Sequence, residues 1–142
     1  MRVIVAGWGN VLRGDDGFGV VVAHRLLNAP IPEEVEVLDI GIGGIHLVQK
    51  LLDGADALIV VDAIDYGRPP GTLLVVRPDV RDVAELTLWQ RRDELADMHY
   101  TTPDRAFTLA RALGVLPAST LLVGCQLTDW DHLGEGLSPE VE

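Results

Sequence analysis

Cysteine, aromatic side chains and positive charge are all scarce in this sequence. There is one cysteine, Cys125, and aromatic residues make up 5% of the chain. A lone cysteine forms no internal disulfide, which fits a reducing cytoplasm. Eleven Lys and Arg stand against 22 Asp and Glu, for a net charge of −11. Because affinity for nucleic acids and anionic membranes rests on Lys and Arg, the charge disfavours both and favours a neutral or basic partner.

Long apolar runs are also missing. The first six residues lead directly into a glycine-rich loop, which leaves no room for the apolar region and cleavage site of a signal peptide. Apolar stretches span a handful of residues, far below the roughly 20 that cross a bilayer. With 142 residues, 48% of them hydrophobic, we expect one soluble cytoplasmic domain over residues 1–142.

The apolar pattern alternates between short continuous runs and helical spacing. Continuous runs, rather than alternating ones, are typical of strands buried on both faces of a parallel sheet. The pattern predicts an α/β fold: one domain with a mostly parallel twisted sheet of about five strands and helices on both faces. The predicted strands cover 3–6, 35–39, 57–61, 72–76 and 121–124; the predicted helices cover 18–27, 45–52 and 103–113, with a partial helix within 78–98.

Three residues with metal-binding side chains lie where strands or loops of such a sheet end. Asp16, beside Asp15, follows the first strand; Asp62 closes the central strand; His99 precedes the last long helix. In open parallel sheets, functional sites gather at the carboxyl edge. Carboxylate and imidazole groups suit nickel, zinc or manganese, so the ligand types alone do not choose the metal.

Each of these residues also has a purely structural interpretation. Asp16 fits the start of the following helix, where a negative charge is favoured by about 0.3–1 kcal/mol. Asp62 fits a turn cap, and His99 fits a surface position before a helix. Asp15 fits either of two roles, orienting Asp16 or lying in solvent. His24, on a helix face, is a weaker candidate for chemistry.

The usual equipment of proteases is absent. The only serines, Ser119 and Ser138, lie outside any G-x-S-x-G elbow. Cys125 ends an apolar strand, where buried thiols are usually inert. There is no H-E-x-x-H motif. If this chain hydrolyses peptides, the chemistry needs metal-activated water.

The first loop also suggests a nucleotide-binding domain. Gly7-Trp8-Gly9 follows a strand, but Leu12 occupies the position of the third glycine in the dinucleotide-binding fingerprint. The Lys and Ser/Thr of a P-loop are missing too. A Rossmann-like small-molecule site is therefore the less favoured hypothesis.

The segment from Gly7 to Gly19, GWGNVLRGDDGFG, fixes many residue types over thirteen positions. It closely resembles the signature G-x-G-N-x-L-x-x-D-[DE]-x-x-G of the hydrogenase maturation endopeptidases. The resemblance continues in order along nearly the whole chain, through Val37-Leu38-Asp39 with Gly41 to Gly44, Asp62-Ala63, Pro70-Gly71-Thr72, and His99 ahead of Leu122-Val123-Gly124.

The resemblance assigns roles to named residues. By this resemblance, Asp16 corresponds to the metal-binding acid of the family, Asp62 to its second acid and His99 to its histidine. The resemblance also implies that these three residues are catalytic. The family fold, a single α/β domain with a twisted sheet between helices, agrees with the pattern above. The resemblance also leads us to expect five residues that hold the substrate chain: Asn10, Asp39, Gly41, Gly43 and Gly44. A purely structural role in turns explains these residues equally well.

The implied reaction is the removal of a C-terminal extension from a nickel–iron hydrogenase large-subunit precursor after nickel insertion. The cut is expected just after a basic residue or histidine. Nickel is then supplied by the substrate, and Asp16, Asp62 and His99 recognise it, with a further role as Lewis acid; other divalent metals are expected to occupy the site in vitro. The alternative is a non-catalytic metal-sensing escort protein for the same precursor.

Two departures from the family pattern stand out. The stretch between Val76 and His99 is longer than in some relatives. The sequence also stops at Glu142, shortly after Leu137-Ser138-Pro139, where relatives usually continue into a further helix. Either that C-terminal helix is absent or the sequence was shortened. Its absence would expose apolar surface, so we expect self-association through this end.

Overall fold

The structure is a computed structural model, and it describes residues 1–80, 82, 103–128 and 136–142. The partial helix predicted within 78–98 falls almost entirely outside the described residues. His99 lies outside them as well.

Five strands form one sheet in the order β2-β1-β3-β5-β4. Pairing is parallel between β1 and β2, β1 and β3, and β3 and β5, whereas β4 runs antiparallel to β5 at the edge. The predicted α/β fold with a mostly parallel five-stranded sheet is therefore confirmed. The strands are β1 (Val3–Trp8), β2 (Val35–Gly41), β3 (Ala57–Ile64), β4 (Leu73–Val76) and β5 (Ser119–Gln126); the helices are α1 (Phe18–Leu27), α2 (Gly44–Leu51) and α3 (Pro103–Ala112), with a 3-10 turn at Gly14–Gly17.

One face of the sheet carries the main hydrophobic core. Alternate residues of each strand point to the same face, and from β1 these are Ile4, Ala6 and Trp8. They join Leu47 of α2 and Phe107 of α3, both about 1% exposed. Burying such side chains contributes about 1.5–3 kcal/mol each. Helices α2 and α3 thus cover this face together.

Helix α1 lies against the opposite face at very short range. A Cβ added to Gly7 of β1 would overlap the backbone carbonyl oxygen of Gly19 and lie 2.6 Å from the Ala23 side chain. Only glycine permits two backbones to approach so closely. This contact fixes the end of β1 against the start of α1, and with it the loop that joins them.

The central strand extends beyond its predicted end. Sequence placed its limit at Val61, with Asp62 closing it, but β3 pairs with β5 as far as Ile64 and Gln126. The prediction was wrong in this respect because the hydrogen-bonded ladder continues past the one charged residue. Asp62 lies within the strand, opposite Gly124 of β5.

The glycine turn after β2 is shorter than predicted. Gly41, with φ of 61°, is the last residue of β2, and Gly44 is the first residue of α2. The ladder with β1 continues through a bulge to the pair Trp8 and Gly41, which lengthens the strand. Only residues 42 and 43 remain outside regular structure.

The last described residues fold back onto the domain. Val141 is 7% exposed, and Glu142 forms an ion pair with Arg25 of α1. The predicted self-association through this end stays a prediction. In the part of the chain that the structure describes, no helix is long and apolar enough to cross a membrane.

Candidate active site

The loop between β1 and α1 carries both neighbouring acids, and we call residues 9–17 the acid loop. Gly9 has φ of 137°, and a Cβ there would overlap the carbonyl oxygen of Asp16. The loop therefore closes tightly on itself. The Gly9 N–H also donates to the Gly41 carbonyl at 2.8 Å, which joins the loop to the end of β2.

Asp16 is partly buried within the acid loop. Its Oδ2 accepts a hydrogen bond from the Asn10 N–H at 3.1 Å. Burial raises the pKa of Asp16 above its ordinary value, and the bond from Asn10 and the charge of Arg13 offset only part of this rise. Asp16 is therefore held as a poorly solvated acid rather than as a free surface carboxylate.

Asp62 shows the larger perturbation. Burial, followed by repulsion from the Asp16 charge, raises the pKa of Asp62 to about 8. A hydrogen bond from the Ala63 N–H opposes the rise, and the charge of Asp104 in the first turn of α3 adds to it. Asp62 therefore feels the charges of Asp16 and of Asp104, and sequence analysis did not single out Asp104.

Two carboxylates that repel each other in a partly dry site can share a proton or be neutralised by a cation. The pair therefore has the chemistry of an acid–base site or of part of a metal site. His99, the third predicted ligand, falls outside the described residues. Within the described ranges, no group of three or more His, Cys, Asp or Glu side chains is placed to hold a metal ion.

Asp15 turns out to be a structural anchor. It is 2% exposed, which excludes the solvated side chain that was one of its two possible roles. Its carboxylate accepts four hydrogen bonds of 2.6–3.0 Å, from the N–H and hydroxyl groups of Thr128 and of Ser138. Burial alone would raise the pKa of Asp15, but these four donors outweigh it and lower the pKa.

Three of the predicted substrate residues line one pocket of about 280 Å³. These are Asn10, Asp39 and Gly41, whereas Gly43 and Gly44 lie at the start of α2 and are not among its lining residues. The pocket also includes His24, whose Nε2 lies 2.6 Å from Oδ2 of Asp39. Sequence analysis missed this pair. The sequence signal for it is positional: His24 lies near the end of α1, and Asp39 lies near the end of β2, the strand that pairs with β1.

The sequence model of hydrogenase maturation proteases matches residues 20–142 of this chain. This chain belongs to the hydrogenase maturation protease family. Among curated relatives, it is 38% identical over 141 residues to the hydrogenase expression/formation protein HupD of Bradyrhizobium diazoefficiens, covering 99% of this chain and 70% of the relative. The HupD of Rhodobacter capsulatus is 36% identical over 141 residues, covering 99% of this chain and 64% of the relative.

Solved structures of hydrogenase maturation proteases share the fold. The hydrogenase maturating endopeptidase HybD of E. coli superposes with a TM-score of 0.72 at 28% identity, covering 99% of this chain and 83% of that one. A hydrogenase 2 maturation peptidase from a Thaumarchaeota archaeon superposes with a TM-score of 0.69 at 33% identity. The match covers 99% of this chain and 88% of that one. The resemblance read from the sequence is thereby confirmed at the level of family and fold.

Proposed function

We propose that this hydrogenase maturation protease is an endopeptidase that removes the C-terminal extension of a nickel–iron hydrogenase large-subunit precursor after nickel insertion. Family membership and the names of its relatives support a peptidase of hydrogenase maturation. The observation that carries the proposal is the buried acid Asp62 with Asp16 near it: burial first, and then repulsion from the Asp16 charge, raise the pKa of Asp62 to about 8.

In this proposal Asp16, Asp62 and His99 recognise the nickel that the precursor brings as part of the substrate. The repulsion between the two acids favours a positive charge between them. Carboxylate oxygens with a neutral imidazole nitrogen are ligands that nickel accepts. Nickel held there would also polarise the scissile carbonyl as a Lewis acid. A precursor without nickel offers no cation to replace the proton that the two acids share, so the site would act as a checkpoint.

The cysteine and the two serines of the chain are badly placed for direct attack, which supports water as the attacking group. Cys125 is 1% exposed, and burial followed by the Asp15 charge raises the pKa of its thiol. The Ser138 hydroxyl donates to Asp15. Ser119 begins β5 at the opposite edge of the sheet from Asp62, paired with Ala57.

Two further proposals concern the cellular compartment and the divalent ions that the site accepts. We propose that the enzyme acts in the cytoplasm, where the large-subunit precursor would be its partner. Other divalent ions are proposed to fit the same oxygen and nitrogen ligands in vitro, since ligand type does not select one ion.

The test mixes purified protein with its cognate large-subunit precursor, with and without nickel, and follows the mass of the large subunit. We expect loss of a C-terminal peptide only from the nickel-loaded precursor. Asp16→Asn and His99→Ala should abolish this loss, while Asp53→Asn, an exposed acid away from the site, should not. Cleavage at the wild-type rate by Asp16→Asn would contradict the assignment of Asp16 to nickel recognition.

The same experiment distinguishes the escort hypothesis. An escort protein would bind the nickel-loaded precursor, seen as co-elution in size-exclusion chromatography, and leave its mass unchanged. The observation in its favour is that two nucleophilic side chains among the described residues are engaged elsewhere: Cys125 is buried and the Ser138 hydroxyl donates to Asp15. Cleavage of the loaded precursor by the wild-type chain would exclude it.

A further inference from the structure

The pocket beside the acid loop is built mainly from aliphatic side chains. Val11 and Leu12 come from the acid loop, Val20 from α1 and Ile42 from the turn after β2. Its volume is about 280 Å³. Sites for drug-sized ligands run from about 300 to 1,000 Å³. This pocket, which we call the aliphatic pocket, therefore lies at the lower end of that range and has room for an amino-acid side chain.

Two of its aliphatic side chains are left in solvent. Leu12 is 59% exposed and Ile42 is 40% exposed. Apolar surface gains about 25 cal/mol per Å² when it is removed from water. Exposed aliphatic side chains beside an apolar hollow therefore favour a ligand that covers them with apolar atoms of its own.

Among the described residues that line the pocket, the two with ionisable side chains, His24 and Asp39, are hydrogen-bonded to each other. His24 Nε2 and Asp39 Oδ2 are 2.6 Å apart, so the Asp39 carboxylate already has a partner at the pocket wall. A charged side chain entering the pocket would have to break this pair or leave its own charge poorly solvated. The pair therefore favours an uncharged occupant.

The pocket adjoins the segment of chain that holds Asp16. Asn10 lines the pocket, and its backbone N–H donates to Oδ2 of Asp16. The Asn10 side chain also accepts a hydrogen bond from the Leu12 N–H at 3.0 Å, which shapes the pocket rim. The same turn of the acid loop therefore contributes to the pocket wall and holds the Asp16 carboxylate in position. A peptide whose scissile bond lies at Asp16 has its neighbouring side chains beside this pocket.

We infer that the aliphatic pocket is a subsite for an aliphatic side chain flanking the scissile bond of the precursor, with Leu12 and Ile42 closing over it. The inference rests on the proposed function, because the precursor chain is its occupant. It adds a specificity determinant to that function: the residue type next to the cut.

The test pairs two serine variants with two forms of the precursor. Leu12→Ser and Ile42→Ser remove aliphatic surface at the pocket mouth, and Leu52→Ser removes an exposed leucine (58% exposed) beyond the end of α2 as the control. Nickel-loaded cognate precursor is prepared with leucine or aspartate at the position that follows the cut, because the residue before the cut is expected to be basic or histidine. Rates of peptide release are then measured over a range of precursor concentrations.

At this position the wild-type protein should prefer leucine to aspartate by about tenfold or more in kcat/KM, since one methylene in a hydrophobic pocket is already worth about 10–200-fold and a poorly solvated charge costs more. Leu12→Ser and Ile42→Ser should lose most of this preference, mainly through a higher KM, and Leu52→Ser should keep it. Equal preference in all four proteins would overturn the subsite while leaving the protease intact. No cleavage by the wild-type protein would instead overturn the proposed function itself.

Discussion

Gly19 of helix α1 lies so close to Val61 of strand β3 that a Cβ on Gly19 would overlap the Val61 carbonyl oxygen. The same Cβ would also overlap the carbonyl oxygen of Trp8, so two strands limit this position at once. The packing of α1 on the sheet, and the position of the acid loop between them, depend on this missing methyl group.

Replacing Gly19 by alanine should therefore destabilise the protein. Alanine would gain about 1 kcal/mol as a better helix former, but overlap with two backbone oxygens should cost about 3 kcal/mol or more, because backbone cannot move aside as a side chain can. Gly54→Ala is the matched control, since Gly54 has φ of 89° and open space around it. That change should cost about 1–2 kcal/mol. Urea unfolding of both variants checks that Gly19→Ala loses more unfolding free energy than Gly54→Ala. Equal losses in the two variants would contradict this prediction.

The raised pKa of Asp62 predicts a pH-dependent cost in stability. Its ordinary value is 3.8 and its value in the folded chain is about 8, so between these limits only the unfolded state is ionised. This group therefore makes the protein less stable as pH rises from about 4 to 8. Asp62→Asn removes the effect, and its gain in unfolding free energy should grow by about 1–3 kcal/mol between pH 5 and 8.

Urea unfolding at several pH values measures this gain. Asp53→Asn, an exposed acid, serves as the control and should show a difference from wild type that does not vary over the same range. A gain for Asp62→Asn that stays constant with pH would show that Asp62 is not held protonated by burial and by Asp16.

Asp15 and Asp16 are adjacent acids with opposite expected effects on stability. Asp15→Asn should cost about 2–3 kcal/mol, because an amide NH₂ would face buried donors that now have an acceptor. Asp16→Asn is the matched control; it should cost little or stabilise the protein, since it removes a charge that repels Asp62. Thermal and urea unfolding at neutral pH check the contrast, and similar losses for the two variants would refute it.

The pKa of Asp15 sets the pH range of this effect. Because the folded pKa lies below the ordinary 3.8, the stabilisation is present above that value and is lost as pH falls through the folded pKa. The difference between wild type and Asp15→Asn should therefore shrink on acidification below about pH 4.

The pair of His24 and Asp39 should contribute little to stability. Their side chains are 57% and 39% exposed, and exposed ion pairs are typically worth about 0.2–1 kcal/mol. A double-mutant cycle with His24→Ala and Asp39→Asn should give a coupling below about 1 kcal/mol that weakens at high salt. A coupling well above this value, insensitive to salt, would show that the pair holds the fold together rather than only shaping the pocket wall.

Local patterns in the sequence predicted much of the fold. The helix at 18–27 has the bounds of α1, because apolar spacing begins at Phe18 and Asn28 with the prolines beyond it stop the helix. Strand β3 was predicted too short because a single charged residue, Asp62, looked like an end. The ladder with β5 continues to Ile64, and such pairing depends on a strand more than fifty residues away.

The site was only partly predictable for the same reason. Asp16 and Asp62 could be chosen from their positions after strands and from the family signature. The role of Asp15 could not, since its partners Thr128 and Ser138 lie 113 and 123 residues away. The pairing of His24 with Asp39 likewise depends on how α1 packs beside β2, which no local pattern contains.

The hydrogen bonds from Ser138 to Asp15 also bear on the order of folding. Contacts between residues so distant in sequence carry a large loop-closure entropy, and they cannot form before both residues have been synthesised. During synthesis, the strands and helix nearest the N-terminus can assemble while the acid loop still lacks its anchors. The loop that carries Asp16 therefore reaches its final form only after residue 138 has left the ribosome, so a partly synthesised chain holds the fold's first elements without a finished site.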